Sequence, residues 1–189
     1  MSNNPIIKFI HKYKKYFFRY RKGFYELPYF ANSPATINAG YEDAPFIKND
    51  KKNKRFIVNN PFVKATTTYY EIEEGLWIYY LDILHKKNIR FVPFFDESIS
   101  DNYYLFSLSE VRDNFKINIK KERKECYVEK TFWTLFKPLS NPDYLNNKNS
   151  SGRCISIYFN EAWLQKNILS DAKWKNSHLQ EFFSSSKKL

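Results

Sequence analysis

Histidine, glycine and cysteine are scarce in this chain of 189 residues, and each shortage argues against a class of site. The three histidines are scattered with no His-x-His pair, which argues against a histidine-based metal centre. The four glycines lie too far apart for a glycine-rich phosphate loop. Two cysteines, Cys126 and Cys154, are too few for a disulfide framework, although one pairing between them stays open. We therefore expect no metal and no cofactor.

Long apolar runs and familiar catalytic motifs are also missing. No stretch approaches the roughly 18 uninterrupted apolar residues that a membrane-spanning helix needs. The sequence contains no Gly-x-Ser-x-Gly, and neither cysteine has a histidine close to it in sequence. With so few cysteines a reducing compartment is the default. We predict a cytoplasmic protein that is not an enzyme, and we assign no catalytic residue.

Positive charge is abundant but unevenly distributed, within a formal net charge of +11. Residues 1–25 hold seven basic side chains and no acid, and residues 48–55 hold five basic side chains against one acid. The rest of the chain is close to neutral. Two basic segments on a neutral body can be solvated appendages, or they can hold phosphate groups by charge.

Short segments rich in β-branched and aromatic residues follow one another through the middle of the chain. They lie at residues 66–72, 76–84, 88–95, 103–109, 115–119, 127–136 and 153–159. Polar breaks separate them, and no long helical pattern alternates with them, which is typical of an all-β sandwich or barrel. Pro93 lacks a backbone donor, so we expect its segment to be an edge strand or to contain a bulge. The pattern predicts a mainly β fold, a barrel or jelly roll of about seven strands.

The two ends of the chain favour helices. Residues 5–21 repeat apolar side chains at three- and four-residue steps, which predicts a basic amphipathic helix. Asn160 is a candidate N-cap for a first C-terminal helix, and Ser177 with Gln180 form a candidate capping box for a second. We divide the chain into a basic arm (1–22), an irregular but packed segment (23–62), a β-barrel domain (63–159) and C-terminal helices (160–189).

Two sets of residues are candidates for binding. A basic face of the arm can contact an anionic partner, weakly, such as a nucleic acid or a membrane surface; its residues are Lys8, Lys12, Lys15 and Arg19. Docking of the arm on the protein's own body is the plainer interpretation. Aromatic side chains in the strands suit a small-molecule pocket, because they combine apolar area with polar groups. The candidates for that pocket are Trp77, Tyr79, Tyr104 and Trp133, and an ordinary core is the alternative.

Three blocks of sequence carry a resemblance to a known family. They are EIEEGLWIYYLDILHKKNIRF (71–91), DNYYLFSLS (101–109), and FWTLFKP (132–138) followed by GRCISIYFNEAWL (152–164). Their succession of strands and turns resembles the N-terminal effector-sensing domain of AraC-type transcription regulators. That domain is a cupin-like β-barrel that usually lacks a metal, binds a small effector, and precedes dimer-forming helices and two helix-turn-helix units.

The resemblance implies a small-molecule-sensing and dimerisation module of a transcription regulator. Too few residues follow position 164 for two helix-turn-helix units, so we expect no sequence-specific DNA binding from this chain alone. The effector is not indicated, and a homodimer stays open. A nucleic-acid or anionic-surface binder that uses the basic arm is the alternative function, and a metal-free cupin-like enzyme is a third.

Overall fold

The computed structural model describes residues 19–30, 33–42, 44, 46–94, 103–112, 115–119, 124–128, 131–138, 140, 143–171 and 178–185. Within these ranges the chain is mainly β, as predicted. The strands are β1 (Arg19–Arg21), β2 (Phe24–Phe30), β3 (Ile47–Asp50), β4 (Arg55–Asn59), β5 (Val63–Glu73), β6 (Leu76–His85), β7 (Ile89–Phe94), β8 (Tyr103–Val111), β9 (Phe115–Ile119), β10 (Lys124–Val128), β11 (Thr131–Phe136), β12 (Asp143–Asn146) and β13 (Ser151–Asn160).

The described helices are short. They are α1 (Pro34–Glu42), a 3₁₀ turn (Lys51–Asn53), α2 (Glu161–Leu164), which continues as a π-helical segment (Gln165–Leu169), and α3 (His178–Ser184). Among the residues described, no helix has both the length and the apolar character needed to cross a membrane.

The strands form two sheets with jelly-roll topology. The large sheet has the order β11-β8-β13-β6-β5-β4-β3, and the small sheet has the order β1-β2-β7-β12-β9-β10. The eight strands from β6 to β13 are divided between them as β11-β8-β13-β6 and β7-β12-β9-β10, which is the interleaved double Greek key of cupins and other jelly rolls. Neighbouring strands are antiparallel except β2 and β7, which are parallel. The predicted cupin-like fold is therefore confirmed, and its strands are arranged in two sheets.

Alternation along the strands gives the large sheet two distinct faces. His85 of β6 contacts Phe91 of the small sheet, with ring centroids 5.9 Å apart, so odd-numbered β6 side chains point between the sheets. Their cross-strand partners on β13 are even-numbered, as in the pairs Tyr79–Ser156 and Leu81–Cys154. We call this side the inner face, and the opposite side the outer face.

The C-terminal helices cover one end of the outer face. Tyr104, Phe159, Leu164 and Phe183 form a buried cluster there. The predicted N-cap is confirmed, because the Asn160 side-chain oxygen accepts a hydrogen bond from the Trp163 backbone N–H at 2.8 Å.

Gly75 makes room for the residue that starts these helices. Its φ of +84° is in the left-handed region, and a Cβ at this position would lie 2.6 Å from Asn160 Oδ1. The Asn160 backbone N–H also donates to the Gly75 carbonyl at 3.0 Å. Glycine is therefore required at the β5–β6 turn by both backbone conformation and close approach.

Several boundaries differ from the sequence prediction. Arg19–Arg21 form a strand, so the predicted helix over 5–21 is wrong at its end, and its residues 5–18 lie outside the described ranges. The segment 23–62 is ordered into three strands and α1, not irregular. Ser33 caps α1, its hydroxyl accepting from the Thr36 N–H at 3.3 Å, and Pro34 occupies the first helical position, which suits proline.

Two further strands differ from expectation. β12 lies in the polar break between the predicted strand segments 127–136 and 153–159, and it occupies the middle of the small sheet. β7 is an interior strand, although Pro93 suggested an edge or a bulge. The pairing of β12 with β7 runs only from Ile89 to Phe91, so Pro93 lies beyond it and its missing N–H costs no bond to β12.

A buried ion network ties three strands of the small sheet together. Arg90 of β7 binds Glu26 of β2 through Nη1 at 2.9 Å and Asp143 of β12 through both Nε and Nη2. Burial opposes the Arg90 charge, but its hydrogen bonds and its attraction to the two carboxylates outweigh burial and raise its pKa. Removing one partner would leave a buried charge unpaired and destabilise the fold, so the network holds these three strands together.

Candidate functional site

A cluster of hydroxyl and thiol groups lies in the middle of the inner face. Ser107 and Ser109 come from β8, and Cys154 and Ser156 come from β13; we call these four residues the hydroxyl–thiol cluster. Ser109 pairs with Cys154 and Ser107 pairs with Ser156 across the two strands. Two residues separate the members on each strand, so alternation places all four on one face.

The groups of the hydroxyl–thiol cluster form a continuous hydrogen-bonded chain. The Ser109 hydroxyl donates to Cys154 Sγ at 3.3 Å, Cys154 Sγ lies 3.3 Å from Ser156 Oγ, and Ser156 Oγ lies 3.2 Å from Ser107 Oγ. Cys154 is a free cysteine, so the disulfide pairing that was left open is not formed. Each hydroxyl can rotate to donate or accept, which lets the chain adapt to a polar ligand.

Solvent reaches part of this cluster. Ser109, Cys154 and Ser156 are only half-buried, although β8 and β13 are interior strands of the sheet. Leu81, on the next strand of the same row, is half-buried as well. Inner-face groups on central strands can be solvent-accessible only if the sheets leave space between them. The inner face is therefore incompletely covered at this level, and we call this partly exposed, polar part of the interior the cleft.

The opposite sheet contributes a tyrosine to this space. Burial, and next the neighbouring Cys154 thiol, raise the pKa of Tyr144 on β12. Tyr144 is also among the groups that raise the pKa of Tyr158 on β13. Tyr144 pairs with Phe91 of β7, which contacts His85 on the inner face, so the Tyr144 side chain points between the sheets. The phenol stays neutral at physiological pH, so it can donate a hydrogen bond.

A buried aromatic floor closes one end of the cleft. The Tyr79 hydroxyl donates to the Pro34 carbonyl at 3.2 Å and to Asn38 Oδ1 at 2.9 Å, which fastens α1 to the large sheet. Ile37 of α1 packs in the same cluster with Tyr79 and Tyr158, whose rings lie 5.4 Å apart. Burial, and next the neighbouring tyrosines, raise the pKa of Tyr79. This end is packed, and access to the cleft must come from elsewhere.

His85 lies at the far end of the inner face. Its side chain is 3 % exposed, and Nδ1 lies 3.2 Å from the Ser150 carbonyl and 3.0 Å from the Ser150 hydroxyl. Burial lowers the pKa of this imidazole to about 4, against the opposing effect of the bond to Ser150. The ring is therefore neutral at physiological pH. Its Nε2 is buried and has no hydrogen-bond partner among the described residues.

The four aromatic candidates from the sequence do not meet in one place. Trp77 and Tyr79 lie on the inner face, within the aromatic floor. Tyr104 is 2 % exposed on the outer face under the C-terminal helices, where its hydroxyl donates to Glu161 Oε2 at 2.9 Å. Trp133 is 71 % exposed on the outer face, with its ring 5.7 Å from Phe106. Tyr104 and Trp133 therefore face away from the cleft that Trp77 and Tyr79 border.

Most of the residues predicted to contact an anionic partner lie outside the described ranges. Lys8, Lys12 and Lys15 lie outside the described residues. Arg19 is exposed on β1, opposite Glu26 of β2. Its role toward an anionic partner stays a prediction.

Sequence reasoning missed the hydroxyl–thiol cluster, although a signal for it exists. Ser107-x-Ser109 and Cys154-x-Ser156 each place two small polar side chains on one face of a strand whose other residues are largely apolar. Small polar pairs at a spacing of two on neighbouring central strands are a usable indicator of a polar cleft.

No metal centre appears in the part of the chain that is described. Its His, Cys, Asp and Glu side chains form no group of three that could hold a metal ion.

Comparison with known proteins gives no family assignment. No family model matches the chain, and no curated protein matches it. The chain is similar to solved cupin-fold structures, among them the EutQ protein of Clostridium difficile, at 13 % identity over 58 % of this chain and 72 % of that one, with a TM-score of 0.33. Ectoine synthase from P. lautus follows at 9 % identity over 63 % and 79 %, with a TM-score of 0.32. A Cupin_2 domain of an XRE family transcriptional regulator from Enterobacter cloacae shows 8 % identity over 50 % and 95 %, also with a TM-score of 0.32. Enzymes and regulator domains both occur among these structures, and similarity this weak carries no argument about function.

Proposed function

We propose that this chain is a small-molecule-sensing module of an AraC-type transcription regulator, and that the cleft between its sheets binds the effector. The observation that carries the proposal is the half-buried hydroxyl–thiol cluster on the inner face of two central strands. The resemblance of residues 71–91, 101–109, 132–138 and 152–164 to that family supports the regulatory role.

The chemistry of the cleft indicates the kind of effector. Hydroxyls of Ser107, Ser109 and Ser156, with the Tyr144 phenol opposite, offer hydrogen bonds in both directions. Leu81 on the same row, and Trp77 and Tyr79 in the aromatic floor, add apolar surface on the inner face. No charged side chain belongs to the cluster. We therefore expect a small, uncharged molecule with hydroxyl or carbonyl groups on an apolar frame.

The contacts of Cys154 favour binding over catalysis. A cysteine nucleophile needs a base or a positive charge close by to form its thiolate. The hydrogen-bond partners recorded for Cys154 are the hydroxyls of Ser109 and Ser156, and neither is a base. The thiol is therefore assigned a role as a neutral part of the lining.

The connection between the two faces supplies a route for the signal. β8 and β13 carry the cluster on the inner face, and they carry Tyr104 and Phe159 on the outer face, under the C-terminal helices. A ligand that shifts these strands would change how the helices pack. Such a change counts as sensing only if the ligand binds one packing more tightly than the other. The same helices are the proposed dimerisation region.

The proposal is tested by screening small uncharged metabolites for thermal stabilisation of the full chain. A binder at 100 times its Kd stabilises by about 2.7 kcal/mol, which corresponds to a rise of roughly 5–10 °C in Tm for a domain of this size. Each hit is repeated on Ser156→Ala, which removes a hydroxyl from the cleft at nearly constant volume, and on Ser170→Ala, which removes an exposed hydroxyl outside it.

The expected result is a hit whose stabilisation is lost in Ser156→Ala and kept in Ser170→Ala. Hits that shift both variants like the wild type would contradict the cleft as the site. A library that yields no hit would contradict the sensing role.

A further inference from the structure

A second site lies on the outside of the molecule, at the hairpin of β3 and β4. A surface depression of about 420 Å³ is lined by Lys52, Asn53, Lys54, Arg55, Thr68 and Tyr70. Three of these six residues are cations, and none is an acid. The depression is basic, whereas the hydroxyl–thiol cluster carries no charged side chain. It opens on the opposite side of the large sheet, since Arg55, Thr68 and Tyr70 belong to the outer face.

The cations of this depression form no direct salt bridge within the described part of the chain, although Arg55 lies opposite Asp50 on the neighbouring strand and interacts with its charge. No salt bridge of Lys52, Lys54 or Arg55 occurs there, and Arg55 Nε is buried with no hydrogen-bond acceptor. The Lys52 and Lys54 side chains are exposed, so they can contact a bound anion without breaking an internal salt bridge.

The two nearest acids are engaged in holding the loop. The Asp50 carboxylate accepts from the Asn53 N–H at 3.3 Å and from Asn53 Nδ2 at 2.8 Å. Glu42 binds Lys51 at 3.5 Å and Asn49 Nδ2 at 3.1 Å. These acids shape the turn and neutralise Lys51, and Asp50 also interacts with the charge of Arg55. Lys52 and Lys54 are the lining cations left for an outside partner.

The backbone of the loop is fixed in an unusual conformation. Lys54 has a φ of 48°, in the left-handed region that a lysine adopts at a cost. Its N–H donates to the Lys51 carbonyl at 3.3 Å, and its carbonyl accepts from the Tyr69 N–H at 3.0 Å. The loop is thereby anchored to β5 and holds its charges in place before any ligand arrives.

An exposed aromatic ring borders the same depression. Tyr70 is 48 % exposed, and the Lys54 ammonium lies 5.9 Å from the centre of its ring. Proteins that hold single-stranded nucleic acids combine basic side chains that contact the phosphates with exposed aromatic rings on which the bases stack.

We propose that this depression binds a nucleotide phosphate, with Lys52, Lys54 and Arg55 contacting the phosphate oxygens and Tyr70 stacking on the base. The nucleotide comes either free in solution or as part of a single-stranded nucleic acid. Its phosphate and base make the same contacts in both cases, and the site is independent of the effector cleft.

The test measures binding of three probes to the full chain at several fixed ionic strengths, each the same for all variants. The probes are a fluorescent single-stranded oligothymidylate of about 12 nucleotides, a fluorescent derivative of AMP, and inorganic phosphate as competitor. The first variant pair is Lys52→Gln with Lys54→Asn, since asparagine tolerates the left-handed conformation. The matched control is Lys87→Gln with Lys166→Gln, which removes two exposed lysines elsewhere. The third variant is Tyr70→Leu.

We expect the Lys52/Lys54 pair to weaken nucleotide binding at least tenfold, while the control pair changes it less than threefold. Tyr70→Leu should weaken AMP and oligonucleotide binding roughly five- to hundredfold, the range for one stacked base, and leave competition by phosphate unchanged. Binding of the oligonucleotide that is much tighter than that of AMP, and steeply dependent on salt, identifies the single strand as the source. Similar affinities identify the free nucleotide.

Three results would overturn the proposal. The first is that none of the probes binds saturably. The second is that the Lys52/Lys54 pair and the control pair lose equal affinity for the nucleotide probes. The third is that the Tyr70→Leu variant binds nucleotides as tightly as the wild type does. Far-ultraviolet circular dichroism of each variant separates lost binding from lost folding.

Discussion

The two faces of the large sheet use aromatic and polar residues in opposite ways. On the inner face, aromatic rings are buried at one end and small hydroxyl and thiol groups occupy the middle. On the outer face, a row of large apolar side chains crosses four neighbouring strands in the middle and stays exposed. That row is Trp133, Leu108, Ile155 and Tyr80, with exposures of 71, 42, 41 and 41 %.

This difference shows that burial alone does not locate function in this fold. The inner face places polar groups where packing would favour apolar ones, and the outer face places apolar groups where solvent would favour polar ones. Each is a departure from what stability alone would select, and such departures concentrate at binding sites. Aromatic content by itself distinguishes neither face.

The largest expected difference between the two faces is in the stability loss when neighbouring tyrosines on opposite faces are replaced by alanine. Tyr79 is 5 % exposed and bonded to α1, and Tyr80, the next residue, is 41 % exposed on the outer face. We expect Tyr79→Ala to lower the free energy of unfolding by about 3–5 kcal/mol, because it leaves a cavity and frees α1. Tyr80→Ala should cost less than about 1 kcal/mol. Urea denaturation of both variants measures the two values, and equal losses would contradict the assignment of faces.

Acid should destabilise the inner face through His85. Burial lowers its pKa to about 4, below the usual value of 6.5, so the unfolded chain takes up the proton more readily. The His85 contribution to stability is therefore fully present above pH 6.5 and is lost as the pH falls toward 4. The loss approaches about 3 kcal/mol. Replacement by the neutral His85→Gln should flatten the stability profile between pH 6.5 and 4. An unchanged slope in that variant would assign the acid sensitivity to other groups.

The packing of the C-terminal helices on the outer face should depend on the N-cap of α2. Asn160 accepts from the Trp163 N–H at 2.8 Å, and Asn160→Ala removes that bond at the start of α2. We expect a loss of about 1 kcal/mol in the free energy of unfolding, the usual value for an N-cap. Asn167→Ala, which removes an exposed asparagine from the following turn, serves as the control and should change stability by less than about 0.5 kcal/mol. If both variants lose equally, the cap has no special role.

Strand patterning predicted much of the fold, because alternation and β-branched residues mark strands wherever one side is buried. It missed β12, whose polar sequence around Asp143 is stabilised by Arg90 from another strand, and α1, which Ile37 and Tyr79 hold in place. Both depend on partners distant in sequence. The sequence could not place Tyr104 and Trp133 on the outer face, because one strand fixes its own alternation but not which side turns inward. The hydroxyl–thiol cluster went unnoticed because serine and cysteine become informative only when the neighbouring strand is known.

The accessibility of the Cys154 thiol tests the central claim, that solvent reaches a polar cleft between the sheets. In a Cys126→Ser background, native protein is treated with methyl methanethiosulfonate, a small reagent, and with a bulky polyethylene-glycol maleimide, and labelling is followed by mass spectrometry. Urea-unfolded protein gives the full labelling level for each reagent, and a variant that also carries Cys154→Ser gives the blank. We predict that the small reagent modifies Cys154 in the native protein far faster than global unfolding allows, while the bulky one reacts only after unfolding. Protection of Cys154 from both reagents until unfolding would mean that the interior is closed, and it would contradict the account.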